Sequence, residues 1–263
     1  MNSNPLLSCR AKVERAKKHL TDFQVELDAY SSRNPYTIIT DEDSEPGVKI
    51  DRVRINEQIP TAFSGMIGDV AHNLMSTLDS LATSLVQFRG LVPVTEEVMR
   101  ETYFPIHWRA DGLDDARTRQ FFDRIGPDAE TIIRMMEPYR GGKCGYLFDL
   151  RRLNIIDKHR AIVPVAGDLA AIFYEISDYT GPPIPPRELT DQRFFPIKDG
   201  DELSRRAFHE LEYDAHAHFT FRIAFGEGQV FEGRNVAVTL RELLDSVASI
   251  VGIFAKHVFK VSW

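Results

Sequence analysis

From Pro60 onward the apolar residues Phe63, Met66, Ile67, Val70, Leu74, Leu78, Leu81 and Leu85 recur at steps of mostly three and four. That spacing keeps side chains on one face of an α-helix. Proline is favoured in the first helical turn, and Gly90 and Pro93 mark the end. A buried stripe this long needs apolar partners from elsewhere in the chain. Three other stretches offer them. Val13, Leu20, Phe23 and Leu27 form a stripe between Pro5 and Ala29. Leu147, Leu150, Leu153 and Ile156 form a second between Tyr146 and Arg160. Leu240, Leu243, Leu244, Val247, Val251, Phe254 and Val258 form a third, after a Thr239-Leu240-Arg241-Glu242 run of capping-box form. Shorter helices are expected at 94–102, 113–124 and 128–137, broken by Phe104-Pro105-Ile106 and Gly126-Pro127.

Strand signals lie between these helices. Tyr36–Thr40 and Val48–Ile55 flank a polar loop with Pro46-Gly47 punctuation, which reads as a hairpin. In the second half, strands are expected at 162–166, 169–176, 193–197, 210–224 and 229–232, with Gly181-Pro182-Pro183-Ile184-Pro185-Pro186 excluding regular structure. The expected class is α+β in one domain over 1–263. It is mainly helical over 1–160 with a hairpin at 36–55, mainly antiparallel strand over 161–235, and closed by a helix over 239–260.

With 43% hydrophobic residues in 263, the chain can fill a core. Its net charge of −7 argues against broad attraction to nucleic acid or anionic membrane and leaves room for a local basic site. Cys9 and Cys144 have neither metal-ligand spacing nor enough companions for a disulfide framework, which fits a cytoplasmic, reducing setting. Leu6-Leu7-Ser8-Cys9 lacks the charged start and apolar run of a signal peptide and reads as the lead-in to a helix. No apolar run approaches membrane-spanning length. Cofactor and nucleophile motifs such as Gly-x-Gly-x-x-Gly, the Walker loop, Gly-x-Ser-x-Gly and His-Glu-x-x-His are absent from the sequence, so no cofactor is expected.

Three constellations can carry chemistry. In the long helix, Asp69, His72, Asn73, Ser76 and Ser80 recur at three- and four-residue steps as a polar stripe, either a solvated face or a binding face. In the helix after Tyr146, Arg152 and His159 lie seven apart, about 10.5 Å of rise along one face. A guanidinium that grips a phosphate and an imidazole that exchanges a proton near neutrality form a sensible pair for phosphate chemistry. Asp157, Lys158 and Arg160 flank them. From Arg134 to Arg160 there are seven Lys or Arg against three acids, although cations at a helix C-terminus also serve stability alone. Finally, His216 and His218, with Asp214 on the same strand face, form a His-x-His pair. Two imidazoles so spaced can converge on a divalent metal, or simply dress a solvated sheet face.

Asn34-Pro35-Tyr36, Gly68-Asp69-x-x-His72-Asn73-Leu74-x-x-x-Leu78-Asp79, Phe104-Pro105-Ile106 and Asp157-Lys158-His159-Arg160 together resemble a widespread bacterial protein family, over roughly residues 10 to 165. That family usually has arginine where this chain has Met75 and histidine where it has Ser80, a pair resembling the signature of HEPN-type helical ribonucleases. Here both are replaced, and Arg152 with His159 keeps a loose form of the spacing. The resemblance implies a helical, often dimeric, metal-independent ribonuclease of a defence or toxin system, with Arg152 holding the phosphate and His159 as base or acid. RNA or another phosphate-bearing ligand is the implied partner. The competing expectations are a non-catalytic protein that binds a ligand or assembles with a protein partner, and a metal enzyme on His216, His218 and Asp214.

Overall fold

The computed structural model describes residues 4–45, 48–159, 162–176, 196–207 and 215–263. For His159 and for 168–176, 204, 206–207 and 215–221 the description covers the backbone. The class is α+β: helices α1 (Leu7–Ser32), α2 (Ala62–Arg89), α3 (Glu96–Arg100), α4 (Ala116–Ile125), α5 (Pro127–Met136), α6 (Tyr146–His159) and α7 (Val236–Phe254), with strands β1 (Tyr36–Glu42), β2 (Val48–Ile55), β3 (Pro164–Ile176), β4 (Glu202–Ala207) and β5 (Ala215–Phe225). They form two compact units. The first comprises Met1–Asp22, Ser64–Ile162 and Val238–Trp263; the second comprises Phe23–Phe63 and Val163–Ala237.

The first unit is helical and is organised on α2. Ile67, Val70, Ala71, Leu74, Leu78, Leu81 and Leu85 are fully buried, each large one contributing about 2 kcal/mol of apolar burial. Short α2 side chains meet α1. The Cys9 thiol donates to the Thr77 carbonyl at 3.8 Å, the Ser84 hydroxyl to the Pro5 carbonyl at 2.8 Å, and Lys12 Nζ to Ser80 Oγ at 2.7 Å and the Ser76 carbonyl at 3.2 Å. Burial pushes the Cys9 thiol up to about 11, so it stays protonated and inert. Gly68 admits α6: a Cβ there would fall on the Asp157 carboxylate. Phe254 of α7 meets Phe104 edge-on at 6.5 Å, and a terminal π-turn, Ala255–Phe259, brings Phe259 to 4.9 Å from Phe88.

The second unit holds the strands. β2 pairs antiparallel with both β1 and β4, Tyr36 opposite Ile55 and Val48 opposite Ala207. β3 and β5 form a separate antiparallel pair. Phe23, Tyr30, Tyr36 and Phe63 make an aromatic cluster, in which Tyr30 donates from its hydroxyl to the Glu57 carbonyl at 3.1 Å.

Four local expectations are corrected. The stretches 162–166 and 169–176 merge into one strand, β3, with irregular register around Leu169. The strand expected at 193–197 is not seen at Pro196 and Ile197; instead β4 forms at Glu202–Ala207, where ladder bonds to β2 and ion pairs of Arg52 with Glu202 and of Arg205 with Asp43 outweigh weak alternation. The strand expected at 229–232 is a turn in which Phe231 has a left-handed φ of 63°. Thr239 is no cap: α7 starts at Val236, after Asn235, a residue type favoured at the N-cap, and Thr239 is buried inside the helix.

Candidate functional site

Within the first unit, residues from α2, from 101–107, from α4 with its cap, and from α6 surround one cavity of about 450 Å³. α2 contributes Met75 and Asp79. Asp79 follows the buried Leu78, and its carboxylate accepts a hydrogen bond from the Phe104 N–H at 3.2 Å. Burial raises its pKa, a shift that Lys12, Arg151 and Lys158 only partly offset.

The Phe104-Pro105-Ile106 tripeptide buries both apolar side chains. Its Ile106 carbonyl accepts from Arg151 Nη1 at 2.7 Å, which ties this segment to α6. Next comes His107, whose backbone bonds to Pro138 and Arg140. Gly112 leaves space for its ring, since a Cβ there would collide with the imidazole. Thr118 Oγ1 lies 3.0 Å from Nε2, and an Asp115 oxygen lies 3.9 Å from Nδ1. With the proton on Nδ1, toward the carboxylate, Nε2 accepts from the Thr118 hydroxyl. Burial lowers the His107 pKa, Asp115 opposes that shift and Arg151 adds to it, so the ring is neutral at pH 7. Asp115 itself caps α4 through the Thr118 N–H at 2.7 Å, and that bond holds its carboxyl below the usual range.

Four cations line the cavity against three acids: Arg117, Arg124, Arg151 and Lys158 against Asp79, Glu101 and Asp115. Arg124 is 9% exposed and lies 3.9 Å from Glu101. Arg117 packs over the Tyr103 ring and donates to the Glu101 carbonyl. Arg151, Asn154, Ile155 and Lys158 follow one another at helical steps of three, one and three, and so present one face of α6. Asn154 is 8% exposed, and its carboxamide oxygen is buried without a hydrogen-bond partner.

The candidates read from sequence fall in several places. Lys158 lines this cavity. Arg152 is exposed on α6, while its neighbour Arg151 lines the cavity. His159 ends α6, and Arg160 lies outside the described residues. Of the α2 stripe, Asp69 and His72 are exposed, Ser76 and Ser80 half-buried, and Asn73 buried with its amide donating to the Asp69 carbonyl at 2.8 Å. Asp157 sits against Gly68; burial and the nearby Asp69 raise its pKa, while His72 and Lys158 lower it. His216 and His218 are in β5 opposite Glu175 and Phe173, and Asp214 lies outside the described residues. Among the described residues no group of three His, Cys, Asp or Glu is placed to hold a metal, and no helix is long and apolar enough to cross a membrane.

Sequence reasoning passed over Arg151, Asn154, His107, Arg117 and Arg124 as site residues. Asn154 left a usable signal, a polar residue directly after Leu153 on an otherwise apolar helical stripe. His107 gave none, because its partners come from a turn and a cap. Compared with protein-family models, with curated proteins and with solved structures, the chain matches none.

Proposed function

We propose that this is a phosphate-directed protein that holds a phosphate-bearing ligand in the cavity lined by Asp79, Arg151 and Lys158. One observation carries the reading: Arg117, Arg124, Arg151 and Lys158 gather around a single cavity in a chain of net charge −7. Each of the three acids there has a partner within the protein: the Phe104 N–H donates to Asp79, the Thr118 N–H to Asp115, and Glu101 lies 3.9 Å from Arg124. Lys158 makes no hydrogen bond among the described residues and is exposed, so its ammonium can meet an anion as well as the Asp79 and Asp157 carboxylates that it attracts. Binding, more than cleavage, is supported by the residues at the two positions where the resembled family carries arginine and histidine. Met75 is an apolar, buried wall of the cavity, and Ser80 receives a hydrogen bond from Lys12.

Calorimetric titration of inorganic phosphate into the purified chain tests this. Saturable binding is expected, weakened about tenfold or more by Arg151→Ala or Lys158→Ala, since a charge-assisted hydrogen bond contributes about 1.5–3 kcal/mol. Equal affinity in both variants overturns the reading.

The exposure of Arg152, one helical face with His159, supports a second reading as a HEPN-like, metal-independent ribonuclease. Its mark is RNA cleavage that survives EDTA and is lost in Arg152→Ala; no cleavage by the wild-type chain rules it out.

A further inference from the structure

The cavity is larger than the anion that its cations would hold. Its volume of about 450 Å³ falls within the range of about 300–1,000 Å³ that houses whole small molecules, whereas a water takes about 30 Å³ and a phosphate only a few times as much. Part of its wall is apolar and meets solvent. Tyr103 is 53% exposed and Ile155 46%, and both line the cavity. Single exposed apolar residues are ordinary on a protein surface, but these two share one opening with Arg117, Arg124, Arg151 and Lys158. Arg117 lies over the Tyr103 ring, 5.4 Å from its centre, and so covers one face with a cation. More than half of the residue is still exposed, which leaves the ring open surface beside that guanidinium. On α6, Ile155 stands between Arg151 and Lys158, at helical steps of four and three, on the face that lines the cavity. Apolar and cationic surface therefore border the same space. A bare phosphate uses the cations and leaves Tyr103 and Ile155 in water. A phosphate that carries a flat, apolar group uses both, because a planar base stacks on an aromatic ring.

Resting on the phosphate-directed reading above, we propose that the cavity takes a mononucleotide, its phosphate among the cations of α6 and the neighbouring arginines, its base stacked on the exposed part of the Tyr103 ring, and its sugar between them. Tyr103 supplies affinity for the base with little discrimination among bases, since every base has a flat face. The cations alone favour any phosphate equally, with or without a base, so the contribution of the ring is separable from theirs.

Calorimetric titration of the full chain with adenosine monophosphate, with the same ribose phosphate lacking its base, and with adenosine tests this. The nucleotide should bind about tenfold or more tightly than the base-free ribose phosphate, as expected of one stacked base. Tyr103→Leu should bring the nucleotide down to the level of the base-free compound, and Tyr103→Phe, which keeps the ring, should retain the difference. The comparison in the wild-type chain needs no variant to fold. Equal binding of nucleotide and base-free ribose phosphate there overturns the inference and leaves the phosphate-directed reading in place. A nucleotide advantage that survives Tyr103→Leu overturns it as well. Adenosine binding as tightly as its monophosphate overturns the phosphate-directed reading and this inference with it, as does binding of none of the three.

Discussion

At the scale of single residues, a glycine and a carboxylate set how closely two helices approach. Gly68 lies inside α2, where alanine would ordinarily gain about 1 kcal/mol from helix propensity. The Asp157 carboxylate occupies the space that its methyl group would take. Gly68→Ala is therefore expected to lose about 1 kcal/mol in the wild-type chain, as Asp157 is displaced, and to gain up to about 1 kcal/mol in an Asp157→Ala background. Urea midpoints of the four chains give the coupling; the same effect in both backgrounds means that the close approach is absent. Both residues belong to motifs that stand out in the sequence, but their contact does not, because 88 intervening positions separate them and only packing joins them. The same holds for Asp79 and Phe104, whose hydrogen bond links two of those motifs.

The elements were more legible than their faces. Apolar periodicity located α1, α2, α6 and α7 because burial of one stripe is what fixes a long helix. It could not distinguish Arg151 from Arg152. Adjacent residues on a helix point about 100° apart, and both arginines flank the apolar stripe, so only the surrounding segments decide which one meets the cavity. The Ile106 carbonyl, bound to Arg151, is such a segment. β4 was missed because a short strand with mixed polar residues owes its existence to the ladder with β2. Short helices depend on their ends in a similar way. α4 is ten residues long, and its first turn is closed by the Asp115 carboxylate on the Thr118 N–H. Asp115→Ala should cost about 1 kcal/mol in thermal or urea unfolding, and Asp115→Asn should recover most of it. If both variants are equally impaired, the cap is not what the carboxylate supplies, and its place beside His107 Nδ1, 3.9 Å away, is what matters.

For the molecule as a whole, half-buried titratable groups set how stability follows pH. Asp79 and Asp157 have pKa values raised in the folded state, above all by burial. The folded chain thus holds these protons more tightly than the unfolded chain, and stability falls as pH rises from the ordinary aspartate value of 3.8 through the raised values. His107 is shifted down, so its contribution is intact above the ordinary histidine value of 6.5 and is lost as pH drops below it. Asp79→Asn keeps an oxygen for the Phe104 N–H and removes one ionisation. It should be more stable than wild type at pH 7, with the difference vanishing below pH 3.8. A variant less stable at pH 7 means instead that the carboxylate is held by Lys12, Arg151 and Lys158 strongly enough to outweigh its burial.

The division into two units also imposes an order on folding during synthesis. The strand-bearing unit has all its residues once Ala237 has been made, whereas the helical unit still awaits Val238–Trp263, which carries most of α7. Ribosomal synthesis usually lets the N-terminal part of a protein fold first. Here α1 and α2 emerge early and can meet each other, but Phe254 of α7, which packs on Phe104, comes only with the last segment of the unit. The helical unit, although α1 and α2 are made before most of the strands, is the last of the two to have all its elements.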